Sequence, residues 1–428
     1  MEFNIRGSLT ARDRKQHLTH NFTVPEGASQ LDIHFEYGPK HEGHRSNLLT
    51  LGLSDPISDR GTAHRGQASQ DIRINAKEAT PGFLPGKLNA GIWRLVIDVH
   101  WINPHTIVTY DVKVVITTPD AQREARWYRG DLHGHTMHSD GHWGIDGLLD
   151  FARRHQLDFV TLTDHNTIAG LHEMDCNSSD ELLTMGGFEL TTFHGHALAL
   201  GIRQMVDWRV TPRRPMKLVK TEIDEIGGLF VIAHTKAPGD GYCTGCRWEY
   251  QDLMPSTVRA VEVWNEEWDS MSNNEAAVQL WYQWLNQGYY VYATVGTDIH
   301  GPRDEEFGFN IVYAEARTET AILDAVRQGH HYLSTGPRVE LTGESSHDYS
   351  GMMGDSLRGD SYTVTANWDK CCDGDEIRFV VNGETADTLN AQLQSGKTWN
   401  LSGNQWCLIE IRDSDNNMRA LTNPIFME

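Results

Sequence analysis

The sequence predicts an α/β protein in which a central segment of alternating strands and helices lies between two all-β, sandwich-like modules. Two observations predict this fold class. Near both ends of the chain, apolar residues alternate with polar ones, as they do in half-buried strands. Between these ends, short apolar runs alternate with helical spacing, which is typical of βα units around a parallel sheet or barrel. We therefore predict domains at residues 1–125, 126–336 and 337–428.

The N-terminal module is predicted from period-two runs that are separated by turns. Thr80-Pro81-Gly82 and Pro85-Gly86 have typical turn composition. The apolar positions of the clearest runs are Leu31, Ile33, Phe35 and Tyr37, then Trp93, Leu95, Ile97 and Val99, and then Tyr110, Val112, Val114 and Ile116.

Helical spacing predicts three helices in the central segment. The first carries Ile145, Leu148, Leu149 and Ala152, and the second carries Ala277, Leu280, Trp281, Trp284 and Leu285. Gly288 can end the second helix, because glycine readily adopts the left-handed conformation beyond a C-cap. Thr318 is predicted to cap the third helix, which ends near Gly329.

Period-two alternation returns after Thr335-Gly336-Pro337 and predicts the C-terminal module. One strand is predicted from Tyr362 to Trp368. A second leads into Asn382-Gly383, a strong hairpin turn sequence. Residues 406–412 are predicted to form a further strand.

The composition restricts the class of protein. The 428 residues include 37 Lys and Arg against 59 Asp and Glu, a net charge of −22. Such an acidic surface repels a phosphate backbone, so we expect no nucleic-acid partner. No apolar stretch approaches the ~18–20 residues that cross a bilayer, and residues 1–6 lack the basic start and apolar run of a secretory signal. We therefore expect a cytoplasmic protein without a membrane partner.

The six cysteines are too few for a disulfide scaffold in a chain of this length, which favours free thiols in a reducing compartment. Cys243 and Cys246 form a single C-x-x-C, and a four-thiolate zinc site would need a second such pair.

Five strand-like runs of the central segment each deliver a His, Asp or Glu at or just beyond their end. In a parallel α/β barrel the C-terminal strand ends meet on one face, where active sites are built. Imidazoles with carboxylates form a good ligand set for zinc, manganese or iron. The five runs lead to Asp131-Leu132-His133-Gly134-His135, to Asp164-His165 after residues 159–163, to Glu189, His194 and His196 after residues 182–188, to His234 after residues 229–233, and to Thr297-Asp298-Ile299-His300 after residues 290–296.

Six segments of this chain resemble the successive motifs of the PHP (polymerase and histidinol phosphatase) superfamily. They are residues 131–141, Thr163-Asp164-His165-Asn166, Gly187-Phe188-Glu189, Gly195-His196, Ala233-His234 and Thr297-Asp298-Ile299-His300. The resemblance covers roughly residues 127–336. The stretches at residues 81–86 and 420–425 resemble those of the CehA/McbA-type metallohydrolase branch.

The resemblance implies a distorted (β/α)7 barrel that holds two or three divalent ions, which are zinc, manganese or iron. It implies one ion held by His133, His135, Glu189 and Asp298, a second held by Glu189, His196 and His234 with Glu189 bridging, and a third held by Asp140, His165 and His300. Glu189 and Asp298 are thereby also predicted catalytic residues. His194 matches no ligand position, and two roles stay open for it: a proton donor to the leaving group, or a residue that lines the loop.

The function that we predict is a metal-dependent phosphoesterase that cleaves a small phosphate mono- or diester with a hydroxide bridging the metals. Lys236, Arg247 and Arg303 follow ligand-bearing segments and are candidates for substrate contacts. Hydrolysis of a carbamate or carboxylic ester by the same metals stays open, and so does a non-catalytic glycan- or surface-binding protein built on an idle barrel. The expected partner is a small-molecule ester, and self-association into a homo-oligomer stays open.

Overall fold

The computed structural model describes residues 1–64, 66–118, 125–179, 181–250, 257–403 and 405–428. The chain divides into two compact units, Met1–Gln122 and Arg123–Glu428. The predicted boundary between residues 336 and 337 lies inside the second unit.

In the described part of the first unit, strands account for nearly all regular structure, together with a 3-10 turn at Ala11–Asp13. They are β1 (Glu2–Leu9), β2 (Gln16–Val24), β3 (Gln30–Gly38), β4 (His41–Glu42), β5 (Arg45–Ser46), β6 (Leu48–Ser54), β7 (Asp59–Ala63), β8 (Ser69–Asn75), β9 (Gly91–Trp101) and β10 (Val108–Thr117). The long strands form two four-stranded sheets, with the strand orders β1-β10-β3-β8 and β2-β9-β6-β7. Every pair of neighbouring strands in these two sheets is antiparallel.

The apolar side chains of these two sheets form one hydrophobic cluster. Phe35 on β3 and Trp93 on β9 are fully buried in it. The burial of alternate residues along β3, β9 and β10 confirms the strands that were predicted from period-two spacing.

The second unit contains five helices among its described residues: α1 (Ile145–Arg154), α2 (Leu171–Cys176), α3 (Met216–Glu225), α4 (Asn274–Asn286) and α5 (Glu319–Gln328). Its strands are β11 (Arg126–Asp131), β12 (Phe159–Leu162), β13 (Leu183–Thr192), β14 (Gly195–Leu200), β15 (Leu229–Ile232), β16 (Ala260–Asn265), β17 (Tyr292–Gly296), β18 (Phe309–Ala314), β19 (His331–Ser334), β20 (Arg338–Ser345), β21 (Ser350–Met352), β22 (Ser356–Leu357), β23 (Ser361–Asp369), β24 (Glu376–Val381), β25 (Glu384–Asn390), β26 (Gly396–Ser402), β27 (Gln405–Arg412), β28 (Met418–Thr422) and β29 (Ile425–Met427). No helix of the described residues is long and apolar enough to span a membrane.

The three predicted helices are present as α1, α4 and α5. Their predicted ends are best confirmed at α5, where the Thr318 hydroxyl accepts a hydrogen bond from the backbone N–H of Ala321 at 3.2 Å. Gly329 ends this helix with a φ of 75°, a left-handed conformation that favours glycine. The sequence did not predict α2 and α3.

A mixed sheet carries the candidate ligands. Its strand order is β17-β16-β15-β14-β13-β12-β11-β18-β19-β28-β27-β24-β25. β11, β12 and β13 run parallel, as do β15, β16 and β17, but β14 is antiparallel to both of its neighbours. The fold is therefore mixed α/β and mostly sheet, and the described strands form no closed ring. The (β/α)7 arrangement implied by the resemblance is thus not seen in this strand path.

The predicted end of one strand was wrong. We predicted that the run at residues 182–188 ends at Glu189, but β13 continues to Thr192 and turns back as β14. Leu190 and Thr192 extend its buried face. Glu189 therefore lies within a strand, and His196 lies on the returning strand.

The C-terminal strands continue this sheet. β19 pairs with β28, and β28 pairs with β27. β24 and β25 form the hairpin predicted at Asn382-Gly383. Both turn residues have positive φ, 51° and 86°, as a type I′ turn requires.

Candidate metal centre

The segments that follow β11, β12 and β17 are held together by backbone pairing. The N–H of His135 donates to the carbonyl of Ile299 at 2.9 Å, and the N–H of Asp298 donates to the carbonyl of His133 at 3.0 Å. Asn166 N–H donates to the carbonyl of Glu189 at 2.9 Å. These bonds bring residues far apart along the chain to one place.

Two candidate ligands have unusual backbone conformations. Asp298 has a φ of 50° and His234 has a φ of 25°, although neither is glycine. Such conformations cost energy and occur preferentially at functional sites. The chain here places side chains where a relaxed strand end would not.

The first ligand group consists of His133, His135, Glu189 and Asp298, whose ligand atoms lie within 4.8 Å of one another. His135 Nε2 lies 2.9 Å from Asp298 Oδ1, and His133 Nε2 lies 3.3 Å from Asp298 Oδ1 and from Glu189 Oε2. Among the described residues, these four ligand atoms are buried without a hydrogen-bond partner. Buried polar atoms are almost always satisfied, so a cation fits this set.

Glu189 divides its two carboxylate oxygens between two groups. Oε2 faces His133 and His135, whereas Oε1 lies 3.0 Å from His196 Nδ1 and 3.1 Å from His234 Nε2. Glu189, His196 and His234 form the second ligand group, and all three are buried. A carboxylate in this position can bridge two ions.

The third group is closer to solvent. It combines Asp140, His165 and His300 with His135. His300 Nε2 lies 3.3 Å and His165 Nε2 lies 3.5 Å from Asp140 Oδ1. The Asp140 side chain is 61% exposed, in contrast to the fully buried Glu189. The site therefore opens to solvent at the third group.

Opposite charges balance within the site. Burial alone would raise the pKa of Glu189, but the surrounding imidazoles hold it well below its usual value. Burial would lower the pKa of His234, but the Glu189 carboxylate raises it to about 9. Burial would likewise lower the pKa of His300, but its hydrogen bond to Asp140 and the charge of Asp298 raise it to about 9.

Hydrogen bonds from the remaining ring nitrogens orient several of the imidazoles. His133 Nδ1 donates to Glu262 Oε2 at 3.0 Å, His234 Nδ1 donates to the carbonyl of Cys246 at 2.9 Å, and His300 Nδ1 donates to the carbonyl of Asp298 at 2.7 Å. Such contacts keep a proton on Nδ1 and direct Nε2 towards the place where a metal would bind.

The sequence reasoning missed Glu262. It lies on β16, is buried, and accepts hydrogen bonds from the His234 backbone N–H and the Asn265 side chain through Oε1. Gly296 leaves room for it, since a Cβ at that position would lie 2.2 Å from Glu262 Oε2. A carboxylate inside the apolar run of residues 260–264 was the available indication.

The other predicted site residues lie outside these ligand groups. His194 is exposed, with Nδ1 3.3 Å from Glu249 Oε2. Arg303 pairs with Glu266 at 3.0 Å and Glu267 at 2.7 Å. Lys236 is half-buried and Arg247 is exposed, both in the chain segment that follows His234.

Two of the cysteines differ from the sequence expectation of free thiols. Cys243 and Cys246 form a disulfide, with a Cα–Cα distance of 5.5 Å. Cys371, Cys372 and Cys407 are not part of a disulfide. The two residues between Cys243 and Cys246 allow a turn that brings the sulfurs together, a local geometry that the overall cysteine count does not reveal.

Comparison with known proteins gives distant structural likenesses. No family model matches the chain, and no curated protein matches it. It is similar to a two-domain protein from Bacteroides vulgatus containing a predicted PHP-like metal-dependent phosphoesterase, at 16% identity, over 72% of this chain and 97% of that one, with a TM-score of 0.40. It is also similar to a candidate metal-dependent phosphoesterase from Bifidobacterium adolescentis, at 18% identity, over 48% and 96% of the chains, with a TM-score of 0.32.

An amidohydrolase from Chromobacterium violaceum, whose structure contains sulfate and no metal, is similar at 16% identity, over 40% of this chain and 88% of that one, with a TM-score of 0.28. Because structural likeness at this level does not extend to chemistry, the function proposed below depends on the side chains around Glu189.

Proposed function

We propose that the protein is a metal-dependent hydrolase, and more specifically a phosphoesterase that cleaves a small phosphate mono- or diester. The observation that carries this proposal is the position of Glu189, whose two oxygens face two separate groups of ligand-type side chains. Two divalent ions held side by side lower the pKa of a water and stabilise the charge that grows on oxygen during hydrolysis.

In this proposal each ligand group has its own part. His133, His135 and Asp298 would hold one ion, His196 and His234 would hold the other, and Glu189 would contribute one carboxylate oxygen to each. The carboxylates of Glu189 and Asp298 offset only part of the charge of two divalent cations. Asp140 and Glu262 add two further carboxylates beside the ligand groups, so an anionic ester would be drawn by direct binding of its oxygens to the ions rather than by a net positive charge of the site.

The substrate is proposed to enter beside the third group. Asp140, His165 and His300 have side chains that are 61%, 22% and 33% exposed, so they border solvent. We propose that a third ion binds there. Lys236 and Arg247 are retained as candidates for substrate contacts, whereas the carboxylates around Arg303 already neutralise its charge.

We further propose membership of the PHP superfamily in its CehA/McbA-type branch, with a distorted (β/α)7 barrel and sandwich-like β modules. Parallel pairing of Gly134 with Ile299 supports the barrel, because it joins the segments that follow β11 and β17.

The experiment that tests the function compares three substrates. Protein loaded with zinc, manganese or iron is assayed on p-nitrophenyl phosphate, bis-p-nitrophenyl phosphate and p-nitrophenyl acetate, with chelator-stripped protein as the control. We expect metal-dependent release of p-nitrophenol from at least one phosphate ester. Turnover of the acetate with neither phosphate cleaved would instead support the carboxylic ester or carbamate alternative.

A further inference from the structure

The turn that contains Cys243 and Cys246 lies against one of the candidate metal ligands. A ring nitrogen of His196 and the sulfurs of Cys243 and Cys246 all lie within 4.8 Å of one another. His196 Nε2 faces the turn, 3.3 Å from the Thr244 carbonyl, whereas Nδ1 faces Glu189. The imidazole is therefore positioned between the carboxylate and the two sulfurs.

Contacts other than the disulfide hold this turn in place. Gly245 has a φ of 78°, and a Cβ there would lie 1.9 Å from the carbonyl oxygen of Thr192. The turn thus packs directly on the hairpin of β13 and β14. Beyond it, Glu249 N–H donates to the carbonyl of His194 at 2.8 Å. We expect the sulfurs to stay beside His196 when the disulfide is broken.

We propose that Cys243, Cys246 and His196 form a redox-controlled metal site that takes a thiophilic divalent cation such as Zn²⁺ when the disulfide is reduced. Two cysteine sulfurs and one histidine nitrogen are a known zinc ligand set that leaves the fourth position open. His196 is 3% exposed, whereas both cysteines are only half-buried, so a small reductant reaches the sulfurs.

The reaction balances with a dithiol as the reductant. The dithiol gives two electrons and two protons, the Cys243–Cys246 bond breaks to two thiols, and the reductant becomes a disulfide. Binding of the cation then releases the two thiol protons to solvent. The imidazole of His196 keeps a proton on Nδ1, beside the Glu189 carboxylate, and the proton between Nε2 and the Thr244 carbonyl also passes to solvent as the cation takes its place. Oxidation of the thiols abolishes the site.

The test uses the full chain, stripped of metal, with Co²⁺ as the probe. Protein is compared before and after treatment with dithiothreitol, which is removed under anaerobic conditions before the titration. We expect a near-ultraviolet thiolate-to-cobalt charge-transfer band in the reduced protein only, and we expect Zn²⁺ to displace it. The absence of the band after reduction, with two additional thiols counted, would overturn the proposal.

Variants assign the band to its ligands. C243S/C246S should lose it, and C371S/C372S, which removes the other closely spaced pair of cysteines, should retain it. H196A should lose or shift the band, whereas H300A should keep it, because His300 belongs to the third ligand group. A band that survives in C243S/C246S would refute the assignment. If that variant does not fold, the comparison of reduced with oxidised wild-type protein still decides. No step of the test needs a substrate, so it is independent of the proposed hydrolysis.

Discussion

Glu262→Gln tests a residue that orients the metal ligand His133 without being a ligand itself. Glu262 Oε1 accepts hydrogen bonds from the His234 backbone N–H at 3.2 Å and from the Asn265 side chain at 2.8 Å, while Oε2 accepts from His133 Nδ1 at 3.0 Å. Glutamine has one oxygen for these three donors. If the oxygen stays with the first two, the amide N–H₂ faces His133 Nδ1. The His133 proton must then move to Nε2, the atom that faces Asp298 and Glu189.

The expected magnitude follows from this change of tautomer. Loss of a hydrogen-bond partner behind a metal ligand typically reduces metal affinity about 10–100-fold. At 1.4 kcal/mol for each factor of ten, this corresponds to roughly 1.4–2.8 kcal/mol of metal-binding free energy. The side chain is nearly isosteric, so we expect little change in packing. The second group keeps all three of its ligands.

The assay is a competition titration of metal-free protein against a chelating indicator, for wild type and Glu262→Gln. Glu249→Gln is the matched control, because Glu249 also lies beside an imidazole but both residues are exposed and outside the ligand groups. We expect the control to bind as wild type. A folded Glu262→Gln protein in which every bound equivalent of metal keeps its wild-type affinity would refute the positioning role.

Glu189→Gln should lower metal content and activity together, measured by elemental analysis and ester turnover; full activity with undiminished metal would contradict the bridge. His165→Ala should remove one equivalent of metal from the third group, and unchanged activity would show that two ions suffice. Burial lowers the pKa of His331 to about 4, below its usual ~6.5. Below pH ~6.5 the unfolded chain then binds more protons than the folded one, so the free energy of unfolding decreases as the pH falls from ~6.5 to 4. Measured by urea titration across this window, the free energy of unfolding should decrease less steeply in His331→Gln than in wild type. Metal binding at pH 7 should release protons from His234 and His300, whose pKa values are about 9; calorimetric enthalpies independent of the buffer's ionisation enthalpy would contradict this.

Local patterns predicted those parts of the fold that depend on neighbours in sequence. The cap at Thr318 and the end at Gly329 are of this kind, as is the hairpin at Asn382-Gly383. The direction of β14 was not predictable in this way, because apolar spacing gives no information on whether a strand runs parallel or antiparallel to its neighbours. His196 was therefore placed after a strand end, although it lies on the returning strand of a hairpin.

The candidate site likewise contains residues that local sequence predicts and residues that only the fold reveals. Residue type and position at strand ends drew attention to the residues that now surround Glu189. Glu262 has no such motif, and it contacts His133 across 129 positions of sequence, so only the fold brings them together. The turn at Cys243 depends on packing against the Thr192 carbonyl, which no cysteine count predicts.

The charges around Glu189 explain how so many ionisable groups can be buried together. A buried carboxylate is costly unless it is paired, and Glu189 is paired with imidazoles whose own pKa values are raised in return, as at His234 and His165. Protons thus supply the positive charge that the carboxylates need. A divalent cation would replace these protons without requiring the fold to be rebuilt, since the same nitrogen and oxygen atoms already face one another at about 3 Å. The pairing of imidazoles with carboxylates around Glu189 therefore already has the arrangement of donor atoms that a metal would need.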